Sequence, residues 1–294
     1  MSATITSTGI GRRFSTPTIE IPGVERLLRP LHELYCRQPQ LTTAAAISLV
    51  AILPCLMAML VDTRTVNGIS VWIKPTKFFI SFAVYYATLA WAFGYVPKER
   101  QSSRTGQFVI RGGLMVGLFE MTWLVLAAAN GVPAHFNSSS LLWQAAYSLA
   151  GVGSVVLITA ILVQGVMIAR QRTIPLAPAL RWALMAGAAV AFAGTLVVAG
   201  YMSAGDGHWV GGARTDANGL ALMGWSRTGG DLRVAHFWSL HAQQFIPAIG
   251  WILVAARLPY ARAGVALASA AYAGLIAFTF VQALQGEPFL PDLG

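Results

Sequence analysis

Charge is what this sequence has least of. Asp, Glu, Lys and Arg make up 11% of its 294 residues, against about 25% in soluble domains. A chain so poor in charge cannot cover itself with water-facing side chains. Cysteine is scarce as well. Cys36 and Cys55 are the two in the chain, they fit no metal-ligand spacing, and a disulfide framework is excluded as the basis of the fold. There is no CxxCH for covalent haem attachment. There is also no HExxH, H-x-x-x-H or nucleophile elbow to name a reaction. Residues 1–22 lack the apolar core of a cleavable signal peptide.

What the sequence does have is long apolar runs. Apolar residues make up 56% of the chain, and the mean hydropathy is +0.61. Several runs reach the roughly 20 residues that cross a ~30 Å hydrocarbon core as a helix. They are continuous rather than alternating, which excludes a transmembrane β-barrel. The net charge of +9 does not indicate nucleic acid, because Lys and Arg sit in short clusters between the apolar runs. That is how membrane topology is encoded.

The expected architecture is all-α, a polytopic integral membrane protein with seven transmembrane helices. The spans fall at about 42–62, 70–96, 108–130, 142–169, 178–203, 233–257 and 262–285. Residues 1–40 form a partly mobile cytoplasmic segment, 41–286 the seven-helix domain, and 287–294 a short extracytoplasmic tail. Within the first segment, Leu27, Leu28, Leu31 and Leu34 share one side of a short amphipathic helix over 23–38 that suits a membrane surface. Arg12, Arg13, Arg26, Arg29 and Arg37 precede the first span. Lys98, Arg100, Arg104 and Arg111 follow the second, Arg170, Arg172 and Arg181 the fourth, and Arg257 and Arg262 the sixth. The connection over 131–140 has no charge. The positive-inside rule then puts the N-terminus in the cytoplasm and the C-terminus outside. The longest connection, about 204–232, lies outside and is a place to look for function. Small residues recur at Gly187, Ala191 and Gly194 in the fifth span and at Gly264, Ala268, Ala271 and Gly274 in the seventh, which reads as helix packing.

The polar residues inside or beside the spans need explaining. Glu120 lies ten residues before Asn130, ~15 Å deep at 1.5 Å per residue. It should be protonated, paired or facing a wet cavity. Lys74 and Lys77 open the second span; they either snorkel to the interface or point inward onto an anionic group. Asp231 and Arg233 lead into the sixth span, where Asp231 is placed to cap the helix. His236 and His241 follow, five residues apart and ~140° around the axis, a spacing that does not favour one shared metal. His241 and Gln244 share a face. His135 and Asn137, with His208 and Trp209, complete a set of polar groups on the outer side.

The pieces WIKPTKFFIS (72–81), Glu120 followed by GVPAHFN (131–137), His208, and GWSRTGGDLRVAHFWSLHAQQ (224–244) resemble a family of bacterial multi-pass membrane proteins with no assigned activity. The resemblance covers roughly residues 65–255. It implies the multi-pass topology and the importance of these residues, and no reaction. In that family an amide and an Arg often stand between the Glu and the HFN. Here those positions are Ala127 and Asn130, so the same helix is not expected to supply a charge partner for Glu120.

Several functions follow from the residues and stay open at this point. One is binding or transport of a small molecule or lipid head group in an extracytoplasmic polar cavity lined by Lys74, Lys77, Glu120, His135, Asn137, Asp231, Arg233, His236, His241 and Gln244. A second is a membrane-embedded enzyme using a His and a carboxylate on a lipid-soluble substrate. A third is a b-type haem protein with His135 and His241 as axial ligands. A fourth is an accessory subunit in an oligomer or larger membrane complex. Beyond the lipid bilayer the sequence names no partner. The pocket expectation is specific: Lys74 or Lys77, Glu120, His135 and residues 231–244 converge, with the deeper His241 entering more fully than His236.

Overall fold

The computed structural model describes residues 24–290, with side chains from residue 29 onward. The expected mobile residues 1–22, the side chains of Leu27 and Leu28 of the amphipathic helix, and residues 291–294 of the tail lie outside what is described. The fold is all-helical. Helix α1 (Val24–Arg37) is followed by α2 (Pro39–Val50) and α3 (Ile52–Val61). These last two divide one apolar run at Ala51. Pro54 explains the division, since its ring nitrogen cannot bond the carbonyl of Val50. A two-residue hairpin follows, β1 (Thr65–Val66) and β2 (Ile69–Ser70). Asn67 and Gly68 at its tip both have positive φ, the geometry that favours Asn-Gly in tight hairpins.

Helix α4 (Ile73–Phe93) leads to the short α5 (Lys98–Gln101) and α6 (Arg104–Gln107). A π-helical turn at Phe108–Gly112 then runs into α7 (Gly113–Ala129). The long helices α8 (Leu141–Arg170) and α9 (Pro178–Ala204) follow. An irregular stretch carries the strand pair β3 (Trp209–Val210) and β4 (Gly230–Asp231). Helices α10 (Leu232–Ala255) and α11 (Ala261–Leu284) close the fold.

Five stretches among the described residues are long and apolar enough to cross a membrane: Pro39–Val61, Arg104–Ala129, Leu141–Arg170, Pro178–Ala204 and Ala261–Leu284. Helices α4 and α10 are long as well, at 21 and 24 residues. They are less apolar because they carry Lys74, Lys77, His236, His241, Gln243 and Gln244, and these two helices hold most of the polar residues that the sequence singles out.

Close packing of α9 on α10 positions them. A Cβ at Gly187 would lie 2.9 Å from the Ala242 carbonyl oxygen, and one at Gly194 2.8 Å from Ser239 Oγ. The small residues of this helix therefore let two backbones meet. The corresponding stripe on α11 does so only in part: a Cβ at Gly264 would lie 3.0 Å from Leu253 Cδ1 of α10. Ala271 and Gly274 are exposed, and α11 buries Val265, Tyr272, Ile276 and Thr279 instead. Large side chains stand on both sides of α11, with Leu267, Phe278 and Val281 exposed, so side-chain size alone does not set its rotation.

One end of the bundle carries the hairpin, residues 130–140 and residues 205–231; it is called the loop end. The other carries Arg37, Lys98, Arg172 and Arg181, and is called the basic end.

Candidate functional site: a polar cluster at the loop end

The cluster is assembled by the stretch before α10. The β3–β4 pair sets Trp209 opposite Asp231, and the Leu232 N–H donates to the His208 carbonyl at 2.9 Å. Gly230 lies so close to the end of α11 that a Cβ would sit 2.0 Å from the Ala283 carbonyl oxygen, which requires glycine there. Asp231 then caps α10: its Oδ1 accepts the Arg233 N–H at 3.0 Å and its Oδ2 the Ser226 N–H at 2.9 Å. The capping role expected of Asp231 is what its side chain performs.

Arg233 is fully engaged. Its guanidinium bonds Asp231 at 2.6–3.2 Å and the Gly224 carbonyl at 2.7 Å. It also forms an ion pair with Asp216 at 2.7 Å and sits 5.9 Å over the Trp209 ring. Lys77 donates to the Met223 carbonyl at 2.9 Å. The turn at 223–224 thus supplies carbonyls to two cations, with Gly224 at φ +69°. Asp216 also faces His208, 3.6 Å away. Burial alone would raise the Asp216 pKa, but His208 and Arg233 outweigh it and hold the carboxyl below its usual value. Burial, aided by Arg233 and opposed by Asp216, lowers the His208 pKa. Asn137 organises its own turn, with its amide donating to the Pro133 carbonyl and its Oδ1 accepting from Ser139.

Four groups stand apart, although His208 Nε2 and Gln244 Oε1 are also buried without a hydrogen-bond partner among the described residues. Lys74 makes no hydrogen bond or ion pair among the described residues, yet it lies in electrostatic range of Glu120, Asp216, Lys77 and Arg233. Glu120 is 3% exposed, and its buried Oε1 has no hydrogen-bond partner among the described residues. Gly153 of α8 faces it, since a Cβ there would lie 3.6 Å from that oxygen, an ordinary contact distance. His135 and His236 each bury an Nδ1 without a partner among the described residues. His135 stands between the Phe78 and Tyr147 rings, at 5.9 and 5.6 Å, in electrostatic range of Lys74, His236 and His208. Burial first, then these neighbours, holds its imidazole well below the ordinary histidine range, so it is neutral at pH 7.

The structure therefore divides the sequence candidates. Lys77, Asn137, Asp231 and Arg233 are engaged by protein atoms. Lys74, Glu120, His135 and His236 meet with groups left open. His236, not the deeper His241, is the histidine of α10 that reaches His135. The β3–β4 pair fixes where α10 starts and how it is rotated, and His236 is one turn in. His241 packs on Phe237 at 4.2 Å and lies beside Gln244. Gln244 donates to Thr88 Oγ1 of α4 at 3.2 Å, one layer further in. The histidines in electrostatic range of His135 are His208 and His236, with His241 reached through His236. Among the described residues no group of three or more His, Cys, Asp or Glu is arranged to hold a metal ion.

Asp216 and the 223–224 carbonyls were absent from the sequence candidates. No local spacing announces them. The Asn-Gly pair at 67–68 was the available signal, because the Asp216 N–H donates to the Asn67 carbonyl at 2.8 Å and is held by that hairpin. Chemically, the four open groups offer a cationic donor, a carboxylate and two imidazoles that donate or accept according to tautomer. Such a set can bind a small polar molecule or pass a proton. Comparison of the chain with protein families, curated proteins and solved structures returned no match.

Proposed function

We propose that the chain is a seven-span integral membrane protein that binds or carries a small polar molecule, or a lipid head group, at its loop end. In this reading α4 and α10 also cross. At 1.5 Å per residue their 21 and 24 residues span ~31 and ~36 Å, enough for a ~30 Å core. Their polar residues face one another across the interior, as the Gln244–Thr88 bond between them illustrates. The basic end carries the Arg clusters that the positive-inside rule assigns to the cytoplasm. The loop end is then extracytoplasmic, in a bacterial cytoplasmic membrane if the family resemblance holds.

One observation carries the ligand reading: Lys74 and buried Glu120 lie in range of each other, and among the described residues neither the Lys74 amine nor Glu120 Oε1 has a hydrogen-bond partner. Uncompensated buried charge is costly. A ligand with an acceptor for Lys74 and a donor for Glu120 removes that cost for both, and the imidazoles of His135 and His236 can each donate to it or accept from it. The test is mass spectrometry of small molecules that co-purify with the full chain. The wild type should carry a species that Lys74→Met and Glu120→Gln lose and Arg181→Gln, at the opposite end, keeps. If all four proteins carry the same species, the ligand reading fails. Reporter fusions at Ser140 and Asn218 should read as outside and one at Arg172 as inside; the reverse would overturn the orientation.

A further inference from the structure

A groove at the basic end belongs neither to the polar cluster nor to the packed interior. It lies between α1 and the α2–α3 run and encloses about 730 Å³, within the ~300–1,000 Å³ of ligand pockets. Leu31 and Tyr35 of α1 form one wall; Ala46, Ile47 and Val50 of α2 and Pro54 of α3 form the other. The walls offer almost no polar atoms. Ile47 and Val50 are exposed, and so are Leu53, Met57 and Leu60 further along the same run. That run is apolar enough to cross a membrane, so the medium that meets this face is hydrocarbon.

The charge at the mouth is positive. Arg29 lies one turn before His32, which lines the groove, and three residues apart on a helix means the same side. Arg29 is exposed and makes no ion pair among the described residues. Among the described residues the carboxylate on this helix is Glu33, and Arg37 holds it at 2.5 Å.

We propose that this groove holds an acyl chain of an anionic phospholipid from the leaflet at the basic end, with its phosphate at Arg29. A peptide occupant would bring amide groups that need partners in an apolar setting, and these walls supply few. An acyl chain needs none. A neutral head group would leave Arg29 unmatched, whereas an anionic one is drawn to exposed cations at the membrane surface.

The test is electron paramagnetic resonance on the full chain reconstituted in phosphatidylcholine vesicles, with spin-labelled phosphatidylglycerol or phosphatidylcholine as probe. The wild type should restrict the motion of more phosphatidylglycerol than phosphatidylcholine. Ala46→Trp fills the groove and should reduce the restricted component for both probes. Val50→Trp, at the exposed mouth, makes the same test if Ala46→Trp fails to fold. Arg29→Gln should abolish the preference for phosphatidylglycerol and leave phosphatidylcholine unchanged. Equal restriction of both probes by the wild type overturns the proposal, as does restricted lipid unchanged by both Trp variants. Conversion of a dimer to a monomer by either Trp variant also overturns it, since the groove would then be an interface between copies.

Discussion

The two ends of the bundle both bury polar side chains, and they use them differently. At the basic end the long polar side chains close helix ends. Arg37 donates to the Trp91 carbonyl near the end of α4 at 2.7 Å, and Gln101 to those of Phe93 and Val96, each at 2.9 Å. Lys98 bonds the carbonyls of Cys36 and Arg37 at the end of α1. Arg181, at the start of α9, bonds the carbonyls of Ile168 and Gln171 at the end of α8. Each helix end leaves carbonyls without intrahelical partners, and here donors meet them. At the loop end Arg233, Asp231, Asp216 and Lys77 are engaged in the same sense, but Lys74, Glu120, His135 and His236 are not. Polar burial alone therefore does not mark a functional site. Polar burial without protein partners among the described residues is the feature on which the proposed site rests.

The largest effect should come from Arg233. Replacing it by Gln leaves Asp231, 1% exposed, and Asp216, 8% exposed, without their cation. Breaking a buried pair from one side costs about 3–5 kcal/mol. Thermal unfolding of the purified protein should show a correspondingly large fall in Tm. A fall no larger than that of a basic-end variant would mean that the network is not what holds the loop end.

Next come the open groups, where the comparison predicts a separation of stability from function. Lys74→Met and Glu120→Gln remove charges with no protein partner, so stability should move by less than about 1 kcal/mol or rise. The co-purifying ligand should nevertheless be lost. A Tm fall as large as that of Arg233→Gln would show that Lys74 or Glu120 is a structural lock.

The division between engaged and open groups was only partly legible in the sequence. Apolar runs and Arg clusters mark the helices, because lipid exposure and length act locally on composition. The GDLR and HFN stretches mark the loop end for a similar reason: polar residues there have no place facing lipid tails. Which of them are open depends on tertiary contacts. Asp216 sits 17 positions before Arg233 in the chain with no periodic relation to it, and the hairpin at Asn67 brings it there. The choice of His236 over His241 depends on the rotation of α10, which the β3–β4 pairing fixes and helical spacing alone cannot. The outward turn of Ala271 and Gly274 on α11 has the same origin, since a stripe of small residues does not say which side of a helix will face its neighbours.

Acidification gives an intermediate effect confined to the loop end. The pKa values of His135 and His208 are lowered in the fold, chiefly by burial. The unfolded chain therefore binds protons first. Their contribution to stability is complete above the ordinary histidine value of about 6.5 and is lost as pH falls below it toward the lowered values. The lowered Asp216 pKa acts in the same direction at more acid pH, below about 3.9. Tm should thus decline from about pH 7.5 to about pH 5, and His135→Gln should flatten that decline. A flat wild-type profile would contradict the neutral buried imidazoles.

A smaller loss than that of Arg233→Gln is expected at the basic end, from Arg181→Gln. Arg181 closes α8 through the Ile168 and Gln171 carbonyls. It answers no buried carboxylate, because no ion pair involves it among the described residues. Gln171 holds its own turn by accepting the Ile174 N–H at 2.9 Å and donating to the Ile174 carbonyl at 3.2 Å, so the end of α8 keeps part of its closure without Arg181. The freed carbonyls lie where the chain leaves its apolar span, and water can reach them. Losing a hydrogen bond of this kind costs about 0.5–1.5 kcal/mol, less than the loss predicted for Arg233→Gln. Measuring both variants by thermal unfolding in one detergent is the sharpest form of the comparison. If Arg181→Gln lowers Tm as much as Arg233→Gln, burial and not the absence of partners governs both ends, and Lys74 and Glu120 lose their special standing.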